Sequence, residues 1–171
     1  MKKLFALMLA LCLMGSVAMA DANLTWDAVA ETAEQVDGGF QTFDEIAVKI
    51  WMPAVLQAVE LTDEDKEAGY IGYYATADES AAVSVMYVNV EGMTLEEYEA
   101  ELKADSAISD IEAGTVNGLP AVSYVIKEKD TAAVAFTTEK GYILEVSCAP
   151  ISDEGFSSVV AVIISSIQAA D

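Results

Sequence analysis

The sequence has 171 residues, enough for one domain, and its net charge at pH 7 is −21 because 29 acidic residues outnumber 8 basic ones. Such a surface repels nucleic-acid phosphates and anionic lipid head groups, so nucleic acid is a poor partner, whereas cations and basic proteins are favoured. There is no histidine and no arginine, which excludes a histidine general base, an imidazole metal site and a bidentate arginine clamp.

The first twenty residues have the pattern of a secretory signal peptide. Lys2 and Lys3 form a positive start, residues 4–14 are an apolar run too short to span a bilayer, and residues 18–20 supply small side chains before a cleavage site. We therefore predict a bacterial signal peptide at 1–20 that is cleaved after Ala20. The mature protein is then secreted, periplasmic or held at the cell surface.

The remaining residues, 21–171, are expected to form a single domain. A lipoprotein anchor at Cys12 is disfavoured, because the residue before a lipidated cysteine is normally small and here it is Leu11. No later segment is long and apolar enough to span a membrane. Cys148 is the only cysteine after the signal peptide, so the mature chain has no internal disulfide.

The first part of the domain predicts a helix and then paired strands. Residues 24–36 have an apolar face typical of an amphipathic helix, and Thr25 is placed to cap its start. Alternating apolar residues and turn signals then predict the following segments. They are strands at 39–43 and 45–51, a short helix or irregular excursion at 54–69, and a hairpin of strands 70–76 and 81–90.

A second helix is predicted from Thr94 to about Asp105. Thr94 and Glu97 have the spacing of a capping box, in which each side chain satisfies a free backbone N–H at the other residue. Met93 and Tyr98 lie where a hydrophobic staple would place them. We therefore assign structural roles to Thr94 and Glu97.

The stretch TVNGLPAVSY at 115–124 predicts a tight hairpin. Asn117 and Gly118 are the preferred pair for a two-residue type I′ turn, because both positions require a positive φ. Pro120 then falls in a non-hydrogen-bonded pair, so the N–H that proline lacks would have pointed away from its hairpin partner. Each of these residues has a folding role, and the stretch is interpreted as scaffold.

An antiparallel meander and a terminal helix complete the predicted elements. Strands are predicted at 119–127, 131–138 and 142–148. Pro150 and Ser152 introduce the last helix. Its apolar stripe should lie across the sheet, and it comprises Phe156, Val159, Val160, Ile163, Ile164 and Ile167.

Three stretches resemble the PsbP-like superfamily, which is named for an extrinsic subunit of photosystem II and whose fold is shared by Ran-binding nuclear import factors. They are GFQTFDEIAVKIWMP at 39–53, TVNGLPAVSY at 115–124 and VIISSIQ at 162–168. The resemblance implies an α+β fold of the α/β/α sandwich type. This is an antiparallel sheet of about six or seven strands with helices packed on its faces. The resemblance assigns no functional residue. Within the superfamily, the chain most resembles the short secreted bacterial members, whose function is unassigned.

The expected function is non-catalytic: an extracytoplasmic domain, monomeric, that binds a protein or small molecule and needs no cofactor. Two arguments favour this reading. The chain lacks histidine and arginine, and the characterised members of the resembled superfamily are mainly binding subunits. One alternative is a small hydrolase that uses two carboxylates on a glycan. Another is weak binding of Ca²⁺ by Asp63, Asp65 and Glu67, although an acidic first helical turn capped by Thr62 explains these residues better.

Two further groups have a structural and a functional interpretation. Cys148 shares a strand face with Tyr142, Leu144 and Val146, while Glu145 and Ser147 face the other way. This pattern predicts a buried thiol beneath Phe156 or Val160 and not a nucleophile. Four tyrosines could line a ligand pocket, but aromatic residues on strands more often pack in a core or in cross-strand pairs. They are Tyr70, Tyr73, Tyr74 and Tyr87.

Overall fold

The computed structural model describes residues 23–88, 92–138 and 141–170. The predicted signal peptide with Cys12 and Ala20, and the end of the strand predicted at 81–90, lie outside the described residues. The helices are α1 (Trp26–Ala33), α2 (Asp63–Glu67), α3 (Leu95–Ala104) and α4 (Glu154–Ser165). The strands are β1 (Asn23–Leu24), β2 (Gly38–Phe43), β3 (Val48–Pro53), β4 (Gln57–Ala58), β5 (Tyr70–Ala75), β6 (Ala82–Val88), β7 (Ile108–Val116), β8 (Leu119–Ile126), β9 (Thr131–Thr137), β10 (Ile143–Ala149) and β11 (Gln168–Ala169).

Most of the strands form one large sheet in the order β1-β7-β8-β9-β10-β6-β5-β4. Six of these strands have six or more residues, whereas β1 and β4, at the two edges, have two residues each. All neighbours are antiparallel except β1, which runs parallel to β7. The predicted hairpin of β5 and β6 and the predicted β8-β9-β10 meander are therefore confirmed.

A second, smaller sheet has the order β11-β3-β2. The strand predicted at 39–43 is confirmed as β2, whereas the strand predicted at 45–51 begins three residues later, as β3, because residues 44–47 form the turn between them. The two strands pair with each other, and β3 also pairs with β11, so neither joins the large sheet. Neither β4 nor β11 was predicted, since two residues are too few to show a period of two.

The large sheet has helices on both of its faces. On one face α4 lies against α1 and the small sheet. These elements bury the larger core, which includes Val85, Val134, Phe136, Leu144, Ile163 and Ile50. On the other face α3 packs on β7, β8 and β9. A smaller core forms there from Tyr98, Leu102, Val122, Tyr124, Ala133, Ala135 and Ile143. The predicted α/β/α arrangement is confirmed.

The helix ends differ from the predictions in two places. Helix α1 begins at Trp26 and ends at Ala33, and Thr25 precedes it without a capping hydrogen bond from its side chain. Helix α4 begins at Glu154, two residues after Ser152, and Asp153 caps it, because its carboxylate accepts the N–H of Phe156 at 2.7 Å. Within the described part of the chain, every helix falls short of the length and apolar character that crossing a bilayer requires.

Candidate functional site

The three acidic residues considered for Ca²⁺ lie in and around the first turn of α2. The Asp65 carboxylate accepts the N–H of Thr62 at 2.8 Å and its hydroxyl at 2.7 Å, while Thr62 Oγ1 accepts the N–H of Asp65. The hydrogen bond from the Thr62 side chain is the main reason that the pKa of Asp65 lies below its usual value. Asp63 and Glu67 are exposed. Across residues 23–88, 92–138 and 141–170, no group of three acidic or cysteine side chains is arranged to hold a metal ion.

The capping box at the start of α3 is present. The N–H of Thr94 donates to Glu97 Oε2 at 2.9 Å, and the N–H of Glu97 donates to Thr94 Oγ1 at 3.2 Å. These bonds fix where the helix begins, and Tyr98 and Leu102 then fall on the face that packs against the sheet.

The turn at Asn117 and Gly118 has the φ values of a type I′ turn, 47° and 83°. Val116 pairs with Leu119 and Thr115 with Pro120. Strand β9 flanks β8 on its other side, but the pairing starts at Ala121 with Phe136, so Pro120 lies just beyond the end of that ladder. The N–H that Pro120 lacks therefore removes no hydrogen bond from the pairing of β8 with either neighbouring strand.

Cys148 lies in the larger core and is 0% exposed. Leu144, Val146 and Val160 belong to the same cluster, and Phe156 packs against it. Burial raises the pKa of this thiol to about 12, so the thiolate that would act as a nucleophile is absent at neutral pH. The strand begins at Ile143, and Tyr142, which was expected on the buried face, is 56% exposed.

The four tyrosines considered as one pocket are divided between the two faces of the large sheet. Tyr74 and Tyr87 pack against the larger core, and Tyr74 meets the ring of Phe43 edge to face at 6.3 Å. Tyr70 pairs with Met86 and Tyr73 with Ser84. Met86 and Ser84 pair in turn with Glu145 and Ser147, on the face that carries α3. The alternative that these rings line one pocket is therefore contradicted, because residues 73 and 74 of a strand point to opposite sides. The favoured interpretation, packing in the core, holds for Tyr74 and Tyr87.

A polar cluster that the sequence did not predict lies beside α3. The Glu145 carboxylate of β10 accepts hydrogen bonds from the hydroxyl groups of Tyr124 on β8 and of Ser147 on β10. Tyr98 of α3 lies with its hydroxyl oxygen 3.0 Å from that of Tyr124 and 3.5 Å from Glu145 Oε2. Since Tyr124 donates its one proton to Glu145, the proton of Tyr98 lies between the Tyr124 hydroxyl oxygen and Glu145 Oε2, and both of these atoms can accept it.

Two alanines of β9 make this cluster possible. Ala133 pairs with Tyr124 on one side and Ser147 on the other, and Ala135 pairs with Glu145. Because an alanine side chain is a single methyl group, the phenol of β8 and the carboxylate of β10 can meet above the intervening strand. Larger residues at these two positions would separate them.

The two phenols of the cluster stay protonated over a wide pH range. Burial is the main reason that the pKa of Tyr98 is raised to about 12, and the Glu145 carboxylate contributes. The pKa of Tyr124 is also raised, first by burial and then by the negative charge of Glu145. The hydrogen-bond partners of the Glu145 carboxylate in the described residues are thus neutral hydroxyl groups.

The sheet continues past this cluster as a surface that α3 leaves open. Ser147 pairs with Ser84 of β6, and Ser84 pairs with Tyr73 of β5. In the next row Glu145 pairs with Met86. Tyr73 is 37% exposed, and the other side chains are half-buried. We name this patch the Glu145 surface, and it consists of Tyr73, Ser84, Met86, Glu145 and Ser147.

Strand parity was the signal that could have found this cluster. Glu145 and Ser147 alternate with Val146 and Cys148, so the sequence placed them on the opposite face, where they indeed lie. The sequence pattern did not show where α3 packs on the sheet. A helix with Tyr98 and Leu102 four residues apart needs an apolar face to pack on, and that face is the one that carries Glu145.

Comparisons with known proteins support the fold. No family model matches the sequence, and no curated protein matches it either. The chain is similar to the solution structure of cyanobacterial PsbP (CyanoP) from Synechocystis sp. PCC 6803, with a TM-score of 0.55 and 12% sequence identity over 78% of this chain and 93% of that chain. The chain therefore has a PsbP-like fold.

Proposed function

We propose that this chain is a non-catalytic, extracytoplasmic binding domain of a bacterium, and that it contacts its partner through the Glu145 surface. One observation carries the proposal. A half-buried carboxylate is fixed by hydroxyl groups at the border between α3 and a sheet face that the helix leaves uncovered. The signal-peptide pattern at residues 1–20 supports the location, and the PsbP-like fold is compatible with a binding subunit.

The chemistry of the cluster favours recognition over bond cleavage. A glycosidase of the usual kind needs two carboxylates that face each other across the bond to be cut. The hydrogen-bonded cluster contains one, Glu145, and its other members are hydroxyl groups. The raised pKa of Tyr98 and Tyr124 makes both phenols weak acids at neutral pH. A fixed carboxylate among hydroxyl groups and an exposed aromatic ring instead suits a partner that presents N–H donors or positive charge.

A site-specific cross-linking experiment tests this proposal. A photo-reactive residue is placed at Ser84, on the Glu145 surface, or at the exposed Asp27 on α1, and each protein is irradiated in envelope extract. We expect a defined adduct at position 84 that is lost in the Glu145→Gln variant. Glu31→Gln removes one charge from the exposed side of α1 and should leave the adduct unchanged.

Two results would contradict the proposal. One is an adduct that forms at position 27 but not at position 84, which would place the binding surface on the other side of the domain. The other is hydrolysis of a glycan by the purified protein that is abolished by Glu145→Gln and kept in Glu31→Gln. That result would establish the carboxylate hydrolase instead.

A further inference from the structure

The sheet edges of this protein are not equally protected. Four strands end the two sheets, and three of them, β1, β4 and β11, have two residues each. The fourth is β2, which has six residues. It pairs with β3 in an unbroken register from Gly38 to Phe43 and contains no proline, lysine or bulge, the features that usually block an exposed edge.

The outer side of β2 presents backbone groups that pair with no strand in the described part of the chain. The N–H of Trp51 on β3 points away from β2, because it donates to Ser166 Oγ at 2.8 Å. Phe40, which pairs with Trp51, is therefore in a non-hydrogen-bonded pair, and its own N–H and C=O point outward. By the same alternation, Gly38 and Thr42 also point their backbone groups outward.

The side chains of β2 leave room for a second strand. Residues 38–42 are all exposed. A Cβ added at Gly39 would meet nothing within 4 Å, so no other side chain covers the sheet face at this residue. The Phe40 ring contacts Trp26 edge to face at 5.0 Å, and Lys49 Nζ lies 5.8 Å from the ring centre.

Acidic residues stand at both ends of this edge. Asp37 comes directly before β2 and Asp44 directly after it, and both are exposed. Residues 31–45 contain no lysine. A second copy of this chain is a poor occupant, because antiparallel pairing of two β2 edges would bring Asp37 of one copy close to Asp44 of the other. A basic strand would instead place its positive charges beside these carboxylates.

We propose that the outer edge of β2 accepts an extended, lysine- or arginine-containing segment of a partner protein as an added strand. Backbone hydrogen bonds to Gly38, Phe40 and Thr42 hold the segment, and the flanking acids select its charge. This site lies on the small sheet, apart from the Glu145 surface, and it does not depend on the function proposed for that surface.

A capped peptide of alternating lysine and valine is the probe. Its affinity is measured by fluorescence anisotropy, and the amide exchange of Phe40 and Thr42 is followed by NMR. We expect the peptide to bind, to slow the exchange of both amides, and to lose at least about tenfold in affinity in the Thr42→Pro variant, which lacks one outward N–H. Thr42→Ala keeps this N–H and should bind like the wild type, as should Glu145→Gln.

The probe itself provides a second test if Thr42→Pro does not fold. A peptide methylated on every backbone nitrogen keeps every charge but has no N–H on either edge with which to add to a sheet, and we expect it not to bind. Equal binding of the methylated peptide would overturn the proposal, because the attraction would then be only electrostatic. A concentration-dependent dimer of the protein that Thr42→Pro abolishes would also overturn it, since the edge would then belong to a second copy.

Discussion

The side-chain amide of Asn117 donates a hydrogen bond of 2.8 Å to the backbone carbonyl of Ser165, 48 residues further along the chain. The same amide donates to the carbonyl of Ile167 at 2.8 Å, and Asn117 Oδ1 accepts the N–H of Trp26 at 2.8 Å. One turn residue therefore satisfies free backbone groups at the start of α1, at the last residue of α4 and just beyond it. The turn joins the first and last helices of the domain to the sheet.

Replacing Asn117 by glycine should lower the stability substantially. Glycine accepts the positive φ of 47° without strain, so the change removes the three side-chain hydrogen bonds and little else. At about 1 kcal/mol for each bond, we expect a loss of about 2–4 kcal/mol in the free energy of unfolding, measured by urea titration. The exposed Gln41→Gly serves as a control for added chain entropy. If both variants lose the same amount, the bonds of Asn117 do not contribute as described.

The sequence predicted the turn but not this role, and the difference is one of distance along the chain. The φ values of Asn117 and Gly118 are a local property, as are the capping bonds between Thr94 and Glu97, which are three residues apart. The partners of the Asn117 side chain lie 48, 50 and 91 residues away. They become neighbours only once the position of α4 on the sheet is known.

The same reason explains why the cluster around Glu145 was not predicted. Both strands that carry it were predicted, and so was the face of Glu145. However, the contact between Tyr124 and Glu145 crosses the intervening β9 and depends on the register of two strand pairs and on the small size of Ala133 and Ala135. A shift of one residue in either pair would put Tyr124 and Glu145 on opposite faces of the sheet.

The Tyr98→Phe variant should be less stable than the wild type, by an amount that depends on pH. At pH 8 the lost hydroxyl contacts with Tyr124 and Glu145 should cost about 1 kcal/mol. Because folding raises the pKa of Tyr98 from 10 to about 12, its hydroxyl contributes stability fully below pH 10 and loses this contribution as the pH rises towards 12. The difference between the two proteins should therefore shrink between pH 10 and pH 12.

Urea titrations of both proteins at pH 8, 10 and 11 measure this difference. Tyr142→Phe is the matched control, because its ring is 56% exposed and should change the stability little at pH 8. A Tyr98→Phe penalty that stays constant across this range would show that the Tyr98 hydroxyl is not buried among the groups described.

The thiol of Cys148 should be inert in the native protein. It is 0% exposed and its pKa is raised to about 12, so a bulky disulfide reagent should label it only after unfolding. Cys148→Ala should cost about 1 kcal/mol, as is usual for a small truncation in a core, and should leave any binding unchanged. Rapid labelling of the native protein, or a disulfide-linked dimer on a non-reducing gel, would contradict this prediction.

Two buried serines should respond to alanine substitution in opposite directions. Ser166 is 0% exposed, accepts the N–H of Trp51 at 2.8 Å and donates to the carbonyl of Ile163 at 2.6 Å. Ser166→Ala leaves the buried N–H of Trp51 without its acceptor, and we expect a loss of about 1–3 kcal/mol in the free energy of unfolding.

Ser123 is 6% exposed, and its Oγ has no hydrogen-bond partner among the described residues. Ser123→Ala removes a buried polar atom without breaking a bond, and we expect unchanged or higher stability. Thermal unfolding of the two variants beside the wild type measures both effects. A loss in Ser123→Ala equal to that in Ser166→Ala would contradict the assignment of Ser123 Oγ as unpaired, and an unchanged stability in Ser166→Ala would contradict the role of Ser166 in joining the end of α4 to β3.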